Sequence, residues 1–393
     1  MILHLGKYYP PAAGGIEAHV QTLARGQVAL GRDVTVLCVN HALPDGTDAT
    51  WSTVTRTRTS EEHDAGVRVS RLGRLGSFAR LDLTPRVLGA LRRHAARASV
   101  IHLHVPNPLM MIALSAIPSS VPIVVTWHSD VVKQRLRGLL LHPIEEALLR
   151  RAALILSDSE GYIGGSPPLL RHRGKVEVLP LGLDLRPYAH PSASVLDDAD
   201  RLRREHGSPL WLAVGRLVYY KGLHSAIDAL EHVPGRLLVV GTGPEGQRLR
   251  ARAQARGVAD RVKWLGHVRP EALEAAYHAA TALWFPSNAR SEGFGQVQIE
   301  AMASGCPVIN TSIPDSGAAW VSLDGVSGLT VPMEDPLALA GAARRLLDPA
   351  VREKLAEGAR HRASSEFDQA LMARRCLDLY DVASERARAS APA

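Results

Sequence analysis

Two acids and two cations in this chain stand at spacings that could grip a diphosphate and the sugars on either side of it. The stretch SEGFGQVQIEAMASG carries Glu292 and Glu300, with Gly293, Phe294 and Gly295 between them. Carboxylates accept hydrogen bonds well from vicinal hydroxyls, as on a ribose or a hexose. The two glycines let the backbone approach a ligand closely. Upstream, LWLAVGRLVYYKGLHSAIDAL places Arg216 and Lys221 on a loop that follows a strand-like run and precedes a glycine-initiated helix. Two cations in that order suit a diphosphate. A nucleotide-sugar, with its diphosphate between two sugars, would satisfy all four side chains. Near the N-terminus, Gly14 and Gly15 follow the run MILHLG and lead into a helical pattern, so unpaired backbone N–H groups there could hold a phosphate.

Three other constellations compete for attention. RLLVVGTGPEGQRL matches a dinucleotide-binding fingerprint at Gly241, Gly243 and Gly246. Pro244 interrupts the turn, however, and the next strand, RVKWLGHV, does not end in the acid that would hold a ribose, which argues against a dehydrogenase. IHLHVPNP sets His102 and His104 on one face of a strand, with His128 and Asp130 after the next one. His-x-His can be half a metal site, but no carboxylate cluster completes the ligand set, and no metal is expected. His128, at the carboxyl end of its strand, is the better candidate for a catalytic role. Asp198 and Asp200 spell DxD, but no strand precedes them.

These residues need elements to position them. Apolar runs alternate with helical patterns along the chain, as in parallel α/β domains. Seven candidate strands (MILHLG, DVTVLCV, GVRVSRL, SVIHLHV, PIVVTWH, ALILSDS, VEVLPLG) precede a Pro-, Ser- and charge-rich stretch at 186–207, and six more (LWLAVG, RLLVVG, RVKWLG, ALWFPS, PVINTS, GLTVP) follow it. The reading is a Rossmann-like domain at 1–185, a linker at 186–207, a second Rossmann-like domain at 208–365, and a C-terminal helix and tail at 366–393 with the first domain within its reach. Two helices are expected after Asp335. Two such doubly wound domains would face a central cleft at the carboxyl ends of their strands, where ligands of these folds bind.

Composition narrows the class. The chain has 393 residues, 46% hydrophobic and 22% charged, as in a folded globular protein. Cys38, Cys306 and Cys376 are scattered without CxxC spacing, which fits a reducing cytoplasm. No run approaches the roughly 20 apolar residues of a membrane span, and MILHLGKYYPP does not read as a secretory signal. The net charge of +7 belongs to the first half: residues 1–190 hold 22 Lys and Arg against 15 Asp and Glu, residues 191–393 hold 24 of each class. Eight of those arginines fall between Arg68 and Arg97. A solvated basic face and contact with an anionic membrane are both open readings. A nucleic-acid reader is not expected, since no such module is recognisable and aromatics are few.

Taken together, the E-x7-E pair, the VGRLVYYKG loop, the GTGP turn and the N-terminal GGIE resemble the retaining glycosyltransferases of family 4, with the GT-B fold. The resemblance implies a nucleotide-sugar in the second domain and an acceptor on the first, without a metal or other cofactor. Arg216 and Lys221 would hold the diphosphate and Glu300 the ribose hydroxyls. Glu292 would meet the donor hexose, supported by the Gly293–Phe294–Gly295 backbone. Gly15 would reach the phosphates across the cleft and His128 would stand beside the reacting sugar. NTSIPDSGAAWVSLDGVSGLTVP replaces the Gly-Gly-x-x-Glu segment common in the family, which puts the usual backbone contacts at Asp315–Gly317 in question. That variation, with TWHSDVVKQ, is similar to the branch of bacterial α-mannosyltransferases building exopolysaccharide or O-antigen, which use GDP-mannose and a polyprenyl-diphosphate-linked acceptor. Such an enzyme would sit peripherally on the anionic cytoplasmic face of the inner membrane, with Lys133, Arg135 and Arg137 as candidate contacts. UDP-glucose or UDP-GlcNAc as donor is the chief alternative, and a UDP-GlcNAc 2-epimerase is the alternative of another class.

Overall fold

A computed structural model describes residues 1–12, 14–41, 51–52, 58–78, 81–118, 121–129 and 135–389. Asp130 and Lys133, with the side chains of Arg135 and Arg137, lie outside the described residues. The chain forms two compact units: Met1–Gly182 with Gln369–Ala393, and Leu183–Asp368.

The strands of the first unit are β1 (Ile2–Leu5), β2 (Val34–Val39), β3 (Trp51–Ser52), β4 (Ser60–Asp64), β5 (Val67–Leu72), β6 (Gly76–Phe78), β7 (Leu81–Leu83), β8 (Val100–Val105), β9 (Ile123–Trp127), β10 (Leu154–Ser157) and β11 (Val176–Val178). Eight of them make one sheet in the order β11-β10-β9-β8-β1-β2-β5-β4, while β3, β6 and β7 pair separately. All neighbours in the large sheet are parallel except β4 and β5. Parallel strands are covered on both faces and so read as unbroken apolar runs, which is why seven of the eight were legible from composition. Side chains alternate across the sheet. Leu3, Leu5, Ile101 and Leu103 enter one apolar cluster, while Ile2, Val34, Val36 and Val100 enter another beneath α1 (Gly15–Ala29) and the C-terminal helix Gln369–Ala389. The tail therefore belongs to the first unit: Met372, Ala373, Cys376 and Tyr380 are buried in that second cluster.

The second unit's strands are β12 (Leu210–Val214), β13 (Arg236–Val240), β14 (Val262–Gly266), β15 (Ala282–Phe285), β16 (Val308–Thr311) and β17 (Gly328–Val331). They are all parallel, in the order β14-β13-β12-β15-β16-β17. Strand order thus reverses between β12 and β15, the switch point where doubly wound sheets open a crevice.

The expected linker is not a linker. Residues 186–207 form the helices Arg186–Ala189 and Ala193–His206, and they belong to the second unit. Ser192 caps the longer helix by accepting from the Val195 N–H at 3.4 Å. Val195 and Ala199, one turn apart, are buried, and Arg203 donates to the His278 carbonyl at the end of the helix Pro270–Ala279. Two apolar residues among many charges make a narrow stripe, too narrow to show as a periodic pattern. Beyond Asp335 three helices occur rather than two, Pro336–Arg345, Pro349–Glu366 and Gln369–Ala389. Asp348 caps the second of these, accepting from the Ala350 N–H, with Pro349 at its first position.

Candidate functional site

In the second unit, the loops after β12 and β15 carry the charged residues singled out above. Arg216 is exposed just beyond β12, and its Nη2 donates to the Tyr220 hydroxyl at 3.1 Å. Lys221 turns back to Glu292, with Nζ 2.6 Å from Oε2, and the two side chains retain only 13% and 10% of their exposure. Ser287 Oγ donates to the same Glu292 oxygen at 3.2 Å. Lys221 Nζ also lies 5.0 Å from the centre of the Phe285 ring. Gly215, Arg216, Lys221, Trp284, Phe285 and Ser287 help to line one pocket at this switch point.

Glycines hold the floor of that pocket in place. Gly222 has φ 61°, and a Cβ there would stand 1.8 Å from the Pro286 carbonyl oxygen. The GTGP turn serves the same loop. A Cβ on Gly241 would fall 2.0 Å from the Gly215 oxygen, and one on Gly243 would fall 2.4 Å from the Leu217 oxygen. The Leu217 N–H donates to the Thr242 carbonyl at 2.9 Å, and the Leu217 carbonyl accepts from the Glu245 N–H at 3.0 Å. The fingerprint-like glycines thus let two backbone turns touch, and that packing accounts for them without a dinucleotide.

The acids differ in surroundings. Glu292 is buried beside its cation, whereas Glu300 lies half-buried inside the helix Gln296–Ala303. Tyr277 donates its hydroxyl to Glu300 Oε2 at 2.7 Å, and Tyr188 makes a second side-chain hydrogen bond. Burial raises the Glu300 carboxyl above the usual carboxylate range, and those two tyrosine donors work against the rise. Gly295, at φ 83°, starts the helix; a Cβ there would meet the Phe285 ring at 2.4 Å. Phe294 places its ring in the core against Trp320 and Phe367. Gly293 is tied down at its carbonyl, which accepts from the Gly317 N–H at 2.8 Å.

The first unit holds the remaining candidates. Gly14 and Gly15 open α1, and Glu17 stands in its first turn. A Cβ on Gly14 would collide with Glu17 Oε2 at 2.0 Å, whereas one on Gly15 would meet nothing within 4 Å among the described residues. His128 is half-buried at the end of β9. Its Nε2 lies 3.2 Å from His104 Nδ1, and burial lowers its imidazole to a pKa of about 4. His102 and His104 share a face of β8 and stack at 4.3 Å. His4, in register with His102 on the neighbouring β1, and His19 on α1 join them. His4 and His19 carry no local signal in the sequence, because only strand register and the packing of α1 bring them to the others. Two groups of three, His4–His102–His104 and His19–His104–His128, each bring one ligand nitrogen per ring within 4.8 Å of the others.

Residues 14–182 match the family described as Glycosyl transferase 4-like domain, and residues 196–362 match Glycosyl transferases group 1. The chain is 32% identical over 375 residues to D-rhamnosyltransferase WbpZ of Pseudomonas aeruginosa, covering 93% of this chain and 92% of the relative. The chain belongs to the family 4 glycosyltransferases. It is also 30% identical to the O-antigen chain mannosyltransferase C of Escherichia coli, with 96% of each chain covered. The fold of this glycosyltransferase is GT-B, with two Rossmann-like domains. Its structure is similar to that of sucrose-phosphate synthase from Thermosynechococcus elongatus, with a TM-score of 0.75 and 26% identity over 97% of this chain and 98% of the other.

Where this glycosyltransferase departs from the common family segment, the structure shows what the substitute does. Ser316 Oγ donates to the Glu292 carbonyl at 2.5 Å and accepts from the Ala318 N–H at 3.2 Å. Asp315, at φ 56°, receives a 2.8 Å hydrogen bond from Arg290 on its carbonyl. Asp315–Gly317 therefore clamps the backbone of the Glu292 loop. No helix among the described residues is long and apolar enough to cross a membrane.

Proposed function

We propose that this glycosyltransferase transfers an α-mannosyl residue, with retention, from GDP-mannose to a polyprenyl-diphosphate-linked oligosaccharide in O-antigen or exopolysaccharide assembly. The observation that carries the donor site is the Lys221–Glu292 pair at the β12–β15 switch point, with Arg216 exposed beside it. A buried cation already matched by an acid adds little net charge. Arg216 is then the group with charge to spare for the diphosphate, and Lys221 supplies further N–H donors as Glu292 turns to a sugar hydroxyl. Glu300, held by Tyr277, presents its second oxygen to a ribose diol. Fixed cations of this kind stabilise a leaving diphosphate in the transition state without a metal ion. His128, neutral at pH 7, would stand by the reacting sugar as a hydrogen-bonding group.

The names of the two relatives support the sugar. D-rhamnose is 6-deoxymannose, so a D-rhamnosyltransferase and a mannosyltransferase both handle the manno configuration. UDP-glucose and UDP-GlcNAc keep the same diphosphate and would fit the same cations. The test is transfer from GDP-mannose, UDP-glucose and UDP-GlcNAc to a polyprenyl-diphosphate-linked saccharide, with and without EDTA, reading the product anomer by NMR. An α-mannoside formed equally well in EDTA is expected. A glucoside or GlcNAc product would replace the donor, a β-anomer would remove retention, and loss of turnover in EDTA would remove metal independence.

A further inference from the structure

Five histidines of the first unit, His4, His19, His102, His104 and His128, lie ring to ring, with centroids of contacting pairs 4.3 to 5.7 Å apart. Their hydrogen bonds have a direction, and the Gln27 amide sets it. Gln27 Nε2 donates to the Tyr380 hydroxyl at 3.2 Å and toward Cys376 Sγ at 3.6 Å, which leaves Oε1 facing His4. His4 Nε2–H must therefore donate to Oε1, at 2.8 Å. A neutral ring carries one proton, and burial keeps these rings neutral, so His4 Nδ1 is a bare lone pair. It accepts from His104 Nε2–H at 3.0 Å. His104 Nδ1 is then bare in turn, and it points to His128 Nε2 at 3.2 Å.

His19 completes the picture. Both of its ring nitrogens are buried without a hydrogen-bond partner among the described residues, although its ring centre is 4.9 Å from that of His128 and 5.7 Å from that of His104. A buried imidazole with neither nitrogen satisfied costs about 1–3 kcal/mol and calls for an explanation.

We propose that His19, His104 and His128 form a binding site for a divalent transition-metal ion of the zinc class, with solvent as the fourth ligand beside the half-exposed His128. One ligand nitrogen from each lies within 4.8 Å of the other two. The 3.2 Å between His104 and His128 is close to the edge of a tetrahedron built on Zn–N bonds of about 2.0–2.1 Å. An all-imidazole set suits zinc, cobalt, nickel and copper and disfavours magnesium and calcium. The Gln27–His4 relay supplies what ligating histidines require, an acceptor for the other ring N–H, here that of His104. On metal binding, the His128 proton leaves Nε2 for Nδ1 through solvent, and no other group changes protonation. The neighbouring set His4, His102 and His104 is the weaker candidate. Its nitrogens are already engaged, His4 by Gln27 and His102 by Tyr380 and Thr126, each at 2.6 Å for His102. The site includes none of Arg216, Lys221, Glu292 or Glu300; it shares His128 with the proposed sugar-transfer reading, and because metal uptake is read without turnover the two proposals fail separately.

The test uses the full chain, stripped with EDTA and dialysed, then titrated with Co2+ and Zn2+. One Co2+ per chain is expected, with the visible d–d absorption of four- or five-coordinate cobalt, displaced by Zn2+. Both His19→Phe and His128→Ala should weaken binding by at least about tenfold, while the exposed His190→Ala should not. His19→Phe removes an unpaired polar group, so its melting temperature without metal should hold, and the Zn2+-induced rise in melting temperature should vanish. Cobalt uptake below one per chain, an octahedral aqueous-type spectrum, or equal affinity in wild type, His19→Phe and His128→Ala would each overturn the site.

Discussion

Lys221 and Glu292 stabilise each other at 2.6 Å in a nearly buried setting, so single and double substitutions should separate stability from activity. Lys221→Met leaves the Glu292 charge without its partner and should cost on the order of 1–3 kcal/mol of stability. Adding Glu292→Gln should restore most of that, while donor kcat/KM stays at least about a hundredfold down, because the Lys221 N–H donors to the diphosphate and the Glu292 carboxylate for the sugar are both gone. Denaturant melts and steady-state kinetics on wild type and the two variants check this. Recovery of activity along with stability would make the pair structural only. These residues were visible in the sequence because charges that follow apolar strands have few other uses. Tyr188, Tyr277 and Gln27 were not, since an isolated tyrosine or glutamine acquires its role only through packing with residues distant in sequence.

The site depends on strand-end loops whose glycines do different work. Gly222→Ala forces a side chain into φ 61° and against the Pro286 carbonyl, and should lose at least about 1–3 kcal/mol. Gly15→Ala meets nothing and begins a helix, so it should keep full stability. If that opening at the start of α1 is kept for a phosphate, the same variant should lower donor kcat/KM. A Gly15→Ala enzyme of normal activity would remove Gly15 from the site. The buried parallel strands were readable as apolar runs, and β4 was not. SEEHD is a polar edge strand, paired antiparallel to β5 and tied at Asp64 to Tyr9, Gln21 and Arg25, and it carries no apolar alternation. The helix Ala193–His206 was read as linker for a related reason: only Val195 and Ala199 mark its buried face.

At the scale of the whole molecule, the C-terminal helix Gln369–Ala389 completes the first unit rather than the second. Tyr380 accepts from Gln27 and closes one end of the histidine cluster. The second sheet begins where apolar runs resume at Leu210, whereas the return of the last helix, which its reach allows, is fixed only by the long-range packing of Met372, Cys376 and Tyr380. As proposed above, the second unit binds a nucleoside-diphosphate sugar through Arg216, Lys221 and Glu300. The most direct test is a thermal-shift series with GDP, UDP, ADP and NAD on wild type and on Glu300→Ala. A ligand at 100 times its Kd contributes about 2.7 kcal/mol to the folded state. GDP should raise the melting temperature of wild type most, and Glu300→Ala should lose most of that rise. Stabilisation by NAD alone, or a GDP response unchanged in Glu300→Ala, would contradict the account.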